Sequence, residues 1–414
     1  MGDQIGSAIE GTLYYVPHTE FERIRALPIG KIPMIEVFSN MARLNTLYMI
    51  GRAGSGHIGS SFSSMDMVSW LLLNELTEVD LSNNDAGNIY FSSKGHDAPG
   101  YYAALIGAGR MSFDLIHKLR RIDGLPGHPD INTECMETNT GSLGMGISKA
   151  KGMVIANRLN RLTGSIYLIT GDGEIQEGQF WESLISGVNN NFHEIVTIID
   201  HNKLQSDTYI SQVSDLGDLE EKLKSFGWHV ERIDGHDISS FASTLNKLKK
   251  IKDKPKVIIA DTIKGKGVSF MEHTAMESDA EMYRFHSGAP DAESYTKAAQ
   301  ELIDTINIQL NKVEAEEIQL EIIERPVTAQ QEKTQRLIPA YTEALLEQAE
   351  KHKNLVALDA DLILDTGLIP FKEKFPDRFI ECGIAEQDMV SQAGGMALKG
   401  LLPVVHSFAC FLST

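Results

Sequence analysis

Asp172 and Asn202 are residues whose types and spacing could do chemistry, because each follows an apolar run typical of a buried strand. Asp172 lies in the turn Gly171-Asp172-Gly173, and Asn202 lies thirty positions later, one strand–helix–strand crossover away. The carboxyl ends of neighbouring parallel strands meet at one sheet edge, where open α/β folds bind their ligands. A carboxylate and an amide oxygen, with a nearby backbone carbonyl, make an incomplete Mg²⁺ site that phosphate oxygens and water would complete. An isolated Asp172 could instead cap the following helix, but the pairing with Asn202 favours the metal interpretation.

The same turn must be distinguished from a dinucleotide site of the Rossmann type. That site needs G-x-G-x-x-G after a strand, and here Gln176 occupies the place of the third glycine. The carboxylate of Asp172 inside the turn would also repel a bare pyrophosphate unless a cation lay between them. The sequence therefore excludes a Rossmann dinucleotide site here and retains a diphosphate that is bridged by a metal ion.

Four histidines lie in loops that also carry glycine or proline: His57 in SGHIG, His96 in KGHDAPG, His128 in LPGHPD and His286 in FHSGAP. A single loop histidine is ordinarily a solvated side chain. Four in loops of similar character indicate a binding region, because loops at strand ends carry binding groups. Such histidines could donate hydrogen bonds to hydroxyl groups or exchange protons near neutral pH. Their spacing fits neither a zinc site nor a Ser-His-Asp arrangement.

The elements that must position these residues alternate between apolar strand-like runs and helical patterns. Helices are predicted at 33–51, 177–189, 340–352 and 386–398, and strands at 89–91, 166–170, 194–200, 257–260 and 355–358. This alternation predicts an α/β fold with a parallel sheet flanked by helices, followed by a second, partial α/β domain. We expect a first domain at 1–300, a linker at 301–335 that is entered from a helix, and a second domain at 336–414 that is incomplete at its C-terminus. Glu386 opens the last predicted helix, where the helix dipole alone could explain a carboxylate.

Composition and charge limit the classes of function. The chain has 414 residues, 42% of them hydrophobic, and a formal net charge of −19, which argues against nucleic acid as a partner. Cys135, Cys382 and Cys410 form no C-x-x-C pair, which is typical of a protein in a reducing compartment without a disulfide framework or structural zinc site. The sequence shows no signal-peptide pattern, and no window of ~18 uninterrupted apolar residues predicts a membrane span. We therefore expect a cytoplasmic protein that does not bind membranes.

Together these motifs resemble those of the thiamine-diphosphate enzymes, and among them the transketolases. The family's GDG…Asn motif stands here at 171–173 and Asn202, and TGSLGMG resembles the second cofactor loop, with Met145 in place of the usual glutamine. The resemblance implies that Asp172, Asn202 and the backbone of Leu204 bind Mg²⁺ (or Ca²⁺ or Mn²⁺), which bridges to the diphosphate of the cofactor. It also implies cofactor contacts at Gly141, Leu143, Gly144 and Gly173.

The histidine loops resemble the transketolase loops that surround the thiazolium ring and the sugar substrate. The resemblance implies catalytic roles for His57, His96, His128 and His286. Glu177, in GDGEIQEG, matches a carboxylate at the subunit interface that couples paired sites. In the second domain Glu386, in GIAEQDM, matches the glutamate that hydrogen-bonds the aminopyrimidine ring. Residues that match those lining this ring are Asp361, Phe408 and Phe411.

The resemblance implies transfer of a two-carbon ketol unit from a ketose or ketose phosphate to an aldose or aldose phosphate. Thiamine diphosphate would store the carbanion left by C–C cleavage, and the histidines would move hydroxyl protons. Because the family builds each site from domains of two subunits, a homodimer is expected. Two alternatives remain open. One is an enzyme like deoxyxylulose-phosphate synthase, which has other loops in place of KGHDAPG and LPGHPD; the other is a truncated cofactor-binding subunit that needs a companion C-terminal chain for activity.

Overall fold

Two α/β domains follow one another along the chain, which a computed structural model describes at residues 9–278, 282–325 and 337–413. The first contains β1 Gly11–Tyr15, α1 His18–Ala26, α2 Lys31–Ala53, α3 Ile58–Trp70, β2 Ile89–Ser92, α4 Ala98–Gly107, α5 Gly146–Leu159, β3 Ile166–Gly171, α6 Gly178–Asn189, β4 Ile195–His201, α7 Ile210–Val213, α8 Leu219–Ser225, β5 His229–Asp234, α9 Ile238–Leu248, β6 Lys256–Asp261, α10 Ala292–Lys312 and β7 Glu321–Arg325. The second contains α11 Leu337–Lys351, β8 Leu355–Asp359, α12 Ile363–Thr366, α13 Ile369–Lys374, β9 Phe379–Glu381, α14 Glu386–Leu398, β10 Leu402–His406 and α15 Ala409–Leu412. Within these described ranges, no helix is both long enough and apolar enough to cross a bilayer.

A five-stranded sheet is the centre of the first domain, and its strand order is β2-β3-β4-β6-β5 with every neighbouring pair parallel. The second domain has a three-stranded parallel sheet in the order β10-β8-β9. β1 and β7 form a separate antiparallel pair. The predicted fold class, a parallel sheet flanked by helices with a second domain of similar type, is confirmed.

Side chains at alternate positions of β3 face opposite sides of the large sheet, as the two-residue period of a strand requires. Tyr167 and Ile169 lie in an apolar core that also contains side chains of α2, α3 and α4. Ile166 and Leu168 lie in a second core with side chains of α5, α6 and α8. Because β3 and β4 are buried on both faces, they appear in the sequence as continuous apolar runs, and their parallel register is fixed. Both strands therefore deliver the residues that follow them to the same sheet edge.

The segment 301–335, predicted as a linker, is folded in its described part. α10 runs to residue 312, and the side chains that it places in the first core are Tyr295, Ala298, Ala299, Leu302, Ile306 and Leu310. These residues recur at helical spacing, in keeping with the expectation that a helix leads into the linker. β7 then pairs with β1 and joins the two ends of the first domain. We therefore propose that the first domain extends to Arg325; positions 326–335 of the predicted linker lie outside the described residues.

Lys94, which follows β2, is buried beside two carboxylates that belong to this sheet edge. Its Nζ lies 2.7 Å from Asp200 and 3.3 Å from Asp97, and the side chain of Lys94 is 1% exposed. Lys94→Met would leave both carboxylates without this cation, so we expect it to lower the free energy of unfolding by about 3–5 kcal/mol in urea denaturation. Adding Asp200→Asn should restore part of the loss. A double variant no more stable than Lys94→Met would contradict this role of the ion pair.

Candidate active site

A cavity of about 780 Å³ lies at the carboxyl edge of the five-stranded sheet, between that sheet and the second domain, and we call it the interdomain cavity. The sequence-predicted residues that line it are His57, His96, His128, Gly141, Leu143, Asp172, Gly173, Glu177, Asn202, Leu204, His286, Asp361, Glu386, Phe408 and Phe411. Gly144 is the predicted residue outside this lining, and its N–H donates to Glu174 Oε1 at 2.9 Å. The structure thus brings the predicted site residues to one place, while their chemical roles stay predictions.

Asp361 of the second domain joins the two sides of the interdomain cavity. Its carboxylate accepts hydrogen bonds from Gln205 Nε2 at 2.6 Å, Ser206 N at 3.0 Å and Ser206 Oγ at 2.7 Å. Ile384 N also donates to Gln176 Oε1 at 2.8 Å. Within this chain both sides of the cavity come from the same molecule, and the predicted contribution of a second subunit stays a prediction.

Asp172 and Asn202 lie at the ends of adjacent strands, as their spacing predicts. Asp172 is 2% exposed, and its carboxylate accepts hydrogen bonds from Gly173 N at 2.9 Å and Lys203 N at 2.5 Å. Asn202 Oδ1 accepts from Leu204 N at 3.1 Å. Burial raises the pKa of Asp172 to about 6, and a neighbouring carboxylate acts in the same direction. A divalent cation would stabilise the ionised carboxylate, so the residues present fit the implied Mg²⁺.

The donor set at this position is mixed. Among the residues that the structure describes, no three His, Cys, Asp or Glu side chains are grouped so that they could hold a metal ion. A cation at Asp172 would therefore depend on the amide of Asn202, the carbonyl of Leu204 and oxygens from a bound phosphate or water. This dependence on phosphate is what a bridging Mg²⁺ requires.

Glu174 is a buried carboxylate that sequence reasoning missed, although it directly follows the GDG turn. Its oxygens accept hydrogen bonds from Gly144 N at 2.9 Å, Gly171 N at 3.1 Å and Ser93 Oγ at 2.5 Å. Burial raises the pKa of Glu174, and the hydrogen bond from Ser93 opposes this rise. Glu174 thereby links the GDG turn at 171–173 to the glycine-rich loop that contains Gly144. An acidic residue directly after a strand-end turn was the available signal, because a buried carboxylate needs N–H partners.

Gly144 and Gly141 lie in the same glycine-rich loop. Comparing a substitution at each tests how closely this loop approaches the segment that carries Glu177. Both have positive φ, 77° and 116°, where a side chain is strained. A Cβ at Gly144 would lie 2.5 Å from Glu177 Cβ, whereas a Cβ at Gly141 would meet nothing within 4 Å. We expect Gly144→Ala to lower the free energy of unfolding by about 1–3 kcal/mol more than Gly141→Ala, because it adds a clash to the strain. Chemical denaturation measures both losses, and equal values would contradict the close approach.

The four predicted histidines form one cluster around His57. The ring centroid of His57 lies 5.1 Å from that of His286, 5.3 Å from that of His96 and 5.9 Å from that of His128. Burial lowers the pKa of His57 to about 3, and it lowers the pKa values of His96 and His286 well below the usual range. The Nδ1 atoms of His57 and His286 are buried and have no hydrogen-bond partner within the described chain. Neutral imidazoles with unpaired nitrogens suit a ligand that presents hydroxyl groups.

Lys264 is a second residue that sequence reasoning missed. It follows β6, is 2% exposed and donates from Nζ to the carbonyl oxygens of Gln205 and Ser206. Burial lowers the pKa of Lys264 to about 8, while the charges of Asp207 and Asp172 oppose this change. The lysine therefore supplies positive charge among the carboxylates of the cavity. Its position at the carboxyl end of a parallel strand was the signal that could have found it.

Glu177 and Glu386 face each other across the boundary between the domains. Burial, and after it the hydrogen bond and charge of Glu386, raise the pKa of Glu177 to about 8. Two carboxyl groups in contact cannot both ionise without a cost in free energy, so the contact favours the protonated form of Glu177. Ser407 Oγ also donates to Glu386 Oε1 at 3.2 Å. Within this chain Glu177 contacts the second domain, and its predicted place at a subunit interface stays a prediction.

Phe408 and Phe411 add an aromatic wall from the second domain. Their ring centroids lie 5.6 Å apart, and both rings line the interdomain cavity. Phe408 is 43% exposed, so its ring has a free face. Such a wall suits the flat apolar surface of a heteroaromatic ring.

Two family models match the chain. The model described as "Transketolase, thiamine diphosphate binding domain" matches residues 36–282, which is more than half of the chain. The chain belongs to the transketolase family. A second model, "Transketolase, pyrimidine binding domain", matches residues 334–414. The predicted resemblance to transketolase is therefore confirmed, and the thiamine diphosphate binding domain is the one that contains the GDG turn.

Individual curated proteins are similar to the chain in sequence, and a solved structure is similar to it in fold. The chain is 38% identical over 238 residues to "6-deoxy-6-sulfo-D-fructose transketolase subunit SqwG" of Clostridium sp. (strain MSTE9), covering 56% of this chain and 86% of that protein. It is 29% identical to transketolase of Homo sapiens over 400 residues, covering 92% of this chain and 62% of that protein. The structure of transketolase from Leishmania mexicana matches with a TM-score of 0.55 at 20% identity, covering 92% of this chain and 65% of that one. This transketolase-family chain thus spans less than two thirds of the longer relatives.

Proposed function

We propose that this chain transfers a two-carbon ketol unit from a ketose or ketose phosphate to an aldose or aldose phosphate. The observation that supports this is the interdomain cavity, which gathers the GDG…Asn pair, the four histidines and Glu386 around one volume of about 780 Å³. The reaction needs a site for a diphosphate, a carboxylate for the ring of the cofactor and neutral bases for hydroxyl protons. The residues of the cavity are of the types that meet these needs.

Thiamine diphosphate and a divalent cation are the proposed cofactors. Asp172, Asn202 and the carbonyl of Leu204 would hold the cation and, through it, the diphosphate, since the buried carboxylate of Asp172 favours a nearby positive charge. Phe408 and Phe411 would bind the pyrimidine ring. When bound, thiamine diphosphate supplies a carbon that adds to the ketose carbonyl and holds the electron pair released by C–C cleavage.

The proton transfers are proposed for residues of this chain. Glu386 would hold a proton at a ring nitrogen of the aminopyrimidine, and Glu177 would keep the carboxyl pair at one negative charge. The histidines around His57 would accept hydroxyl protons of the donor sugar and return them to the acceptor, because their unpaired nitrogens are neutral near pH 7. Closure by the second domain would exclude bulk water from these steps.

A second candidate function is that of a cofactor-binding subunit that is inactive without another chain. The observation that favours it is that a relative 38% identical over 238 residues is named a subunit. The interdomain cavity would then bind the cofactor without turnover by the isolated chain. A homodimer is proposed from the family resemblance, and light scattering of the purified chain tests it.

Calorimetric titration of the chain with thiamine diphosphate, in Mg²⁺ or in EDTA, tests the cofactor proposal. An assay with xylulose 5-phosphate and ribose 5-phosphate follows. Ketol transfer by the chain alone would support the enzyme, and Mg²⁺-dependent binding without transfer would support the subunit. Absence of Mg²⁺-dependent binding would contradict both.

A further inference from the structure

A chain of hydrogen bonds through two glutamine amides crosses the boundary between the two domains. It begins at Ile384 N, which donates to Gln176 Oε1 at 2.8 Å. Gln176 Nε2 then donates to Gln205 Oε1 at 2.7 Å, and Gln205 Nε2 donates to Asp361 Oδ1 at 2.6 Å. We call these bonds the amide relay. Both of its ends belong to the second domain, and the two amides between them belong to the first.

The two ends of the amide relay determine how both amides are oriented. Ile384 N can only donate, so the oxygen of the Gln176 amide must face it. The carboxylate of Asp361 also accepts hydrogen bonds from Ser206 N at 3.0 Å and Ser206 Oγ at 2.7 Å, so the nitrogen of the Gln205 amide faces it. Each amide therefore needs one donor and one acceptor, which a glutamine side chain supplies and a glutamate side chain does not.

The second domain holds the two ends of the amide relay in a fixed relation. Glu381 Oε1 accepts hydrogen bonds from Asp361 N at 2.9 Å and from Gly383 N at 3.0 Å. Gly383 has φ of 72°, and a Cβ at this position would overlap Gln176 Oε1, so glycine lets the backbone reach the amide. Through Glu381 and the peptide that joins Gly383 to Ile384, the amide relay becomes a closed ring across the domain boundary.

The amide relay joins two segments that would bind opposite ends of the proposed cofactor. Gln176 ends the short helix Gly173–Gln176, which directly follows the proposed metal ligand Asp172. Ile384 lies two residues before Glu386, the carboxylate proposed for the aminopyrimidine ring. Gln176 itself is outside the lining of the interdomain cavity. It therefore acts on a ligand in the cavity through the spacing of its neighbours rather than by contact.

We propose that Gln176 is a positioning residue that sets the distance between the diphosphate site at Asp172 and the carboxylate of Glu386. The proposal rests on the proposed function, because this distance affects a ligand only if one molecule spans both places. Thiamine diphosphate has its diphosphate and its aminopyrimidine ring at opposite ends and would span them. Inorganic pyrophosphate has the diphosphate alone and would occupy only the first place. Loss of the amide relay should therefore weaken binding of the first ligand and not of the second.

Calorimetric titration of the full chain in Mg²⁺, with thiamine diphosphate and with inorganic pyrophosphate, tests the proposal. Gln176→Met keeps the length of the side chain and removes both of its hydrogen-bonding groups. We expect it to weaken thiamine diphosphate binding by about ten- to a hundredfold and pyrophosphate binding by less than about twofold. Gln348→Met, at an exposed glutamine of α11 outside the cavity lining, is the matched control and should change neither affinity.

Reversing the polarity of the amide relay gives a second test. In Gln176→Glu, the Gln205 amide lies between two carboxylates, so its oxygen faces a carboxylate whichever way the amide turns. This variant should also lose affinity for thiamine diphosphate, although the side chain keeps its size. Adding Asp361→Asn supplies a donor at the other end and restores the original net charge, so the Gln205 amide can turn over. The double variant should bind thiamine diphosphate about fivefold or more tightly than Gln176→Glu alone.

Equal losses of affinity for both ligands in Gln176→Met would overturn the proposal, because they would show general damage to the GDG turn. Unchanged affinity for thiamine diphosphate in this variant would overturn it too, and so would a double variant that binds no better than Gln176→Glu. These results would leave the proposed function intact, since the wild-type chain would still bind the cofactor. If the wild-type chain binds no thiamine diphosphate in Mg²⁺, the proposed function fails, and the positioning role of Gln176 fails with it.

Discussion

Asp172→Ala should abolish Mg²⁺-dependent binding of thiamine diphosphate. Asp172 is the carboxylate of the proposed donor set, and the other two donors, the amide of Asn202 and the carbonyl of Leu204, are neutral. Without its negative charge the cation would have to be held by neutral oxygens and the diphosphate alone. We expect the affinity for the cofactor in Mg²⁺ to fall by about a hundredfold or more, which is about 2.7 kcal/mol, in calorimetric titration.

The control for this experiment is Asp253→Ala. Asp253 lies in an exposed turn and does not line the interdomain cavity, so its removal should leave cofactor binding unchanged. Far-UV circular dichroism verifies that both variants are folded. Mg²⁺-dependent binding that persists in Asp172→Ala would show that the assignment of the metal site is wrong.

Glu386→Gln should lower the rate of ketol transfer by about 10²–10⁴-fold, the range for loss of a positioned acid–base group. Glutamine keeps the size of the side chain and its ability to hydrogen-bond, so cofactor affinity should change by less than about tenfold. The neighbouring carboxyl gives a readout that needs no turnover. Burial, together with the hydrogen bond and the charge of Glu386, raises the pKa of Glu177 to about 8. Removing the charge of Glu386 should therefore lower the pKa of Glu177 in the variant. ¹³C NMR of labelled glutamate measures this change.

The same pair predicts a pH dependence of stability. The pKa of Glu177 is raised from 4.5 to about 8, so between these pH values the folded chain holds a proton that the unfolded chain releases. Its contribution to stability is therefore present below about pH 4.5 and is lost as the pH rises through about 8. Glu386→Gln should reduce this decline, whereas Asp388→Asn, at an exposed carboxylate two residues later, should leave it unchanged. A decline of the same size in both variants would contradict the contact between Glu177 and Glu386.

The shared position of Asp172 and Asn202 at one sheet edge could be predicted from the sequence because it depends on one crossover only. β3 and β4 are buried on both faces, which makes them continuous apolar runs in the sequence, and consecutive parallel strands place Asp172 beside Asn202 without further information. The histidine loops could be found because glycine and proline mark loops in any context. In each case residue type and spacing along the chain carry the signal.

Burial and long-range pairing could not be found in this way. Glu174 and Lys264 look like ordinary charged residues until the fold encloses them, and then each must take backbone groups as partners. β7 has no apolar pattern of its own, and its pairing with β1 joins segments from opposite ends of the first domain. The contact between Asp361 and the first domain is equally non-local. Such features depend on the whole chain rather than on any window of it.

The docking of the second domain through Asp361 has a thermodynamic consequence. The residues proposed to bind thiamine diphosphate are divided between two domains, so full binding would require the docked arrangement in which Asp361 accepts hydrogen bonds from Gln205 and Ser206. A ligand that binds one state of a chain shifts the population toward that state by RT ln(1 + [L]/Kd). Free thiamine diphosphate would then stabilise the contact between the two domains. Its concentration would determine the fraction of molecules in which the domains are docked. The supply of the proposed cofactor would in this way influence the arrangement of the two domains as well as the proposed chemistry.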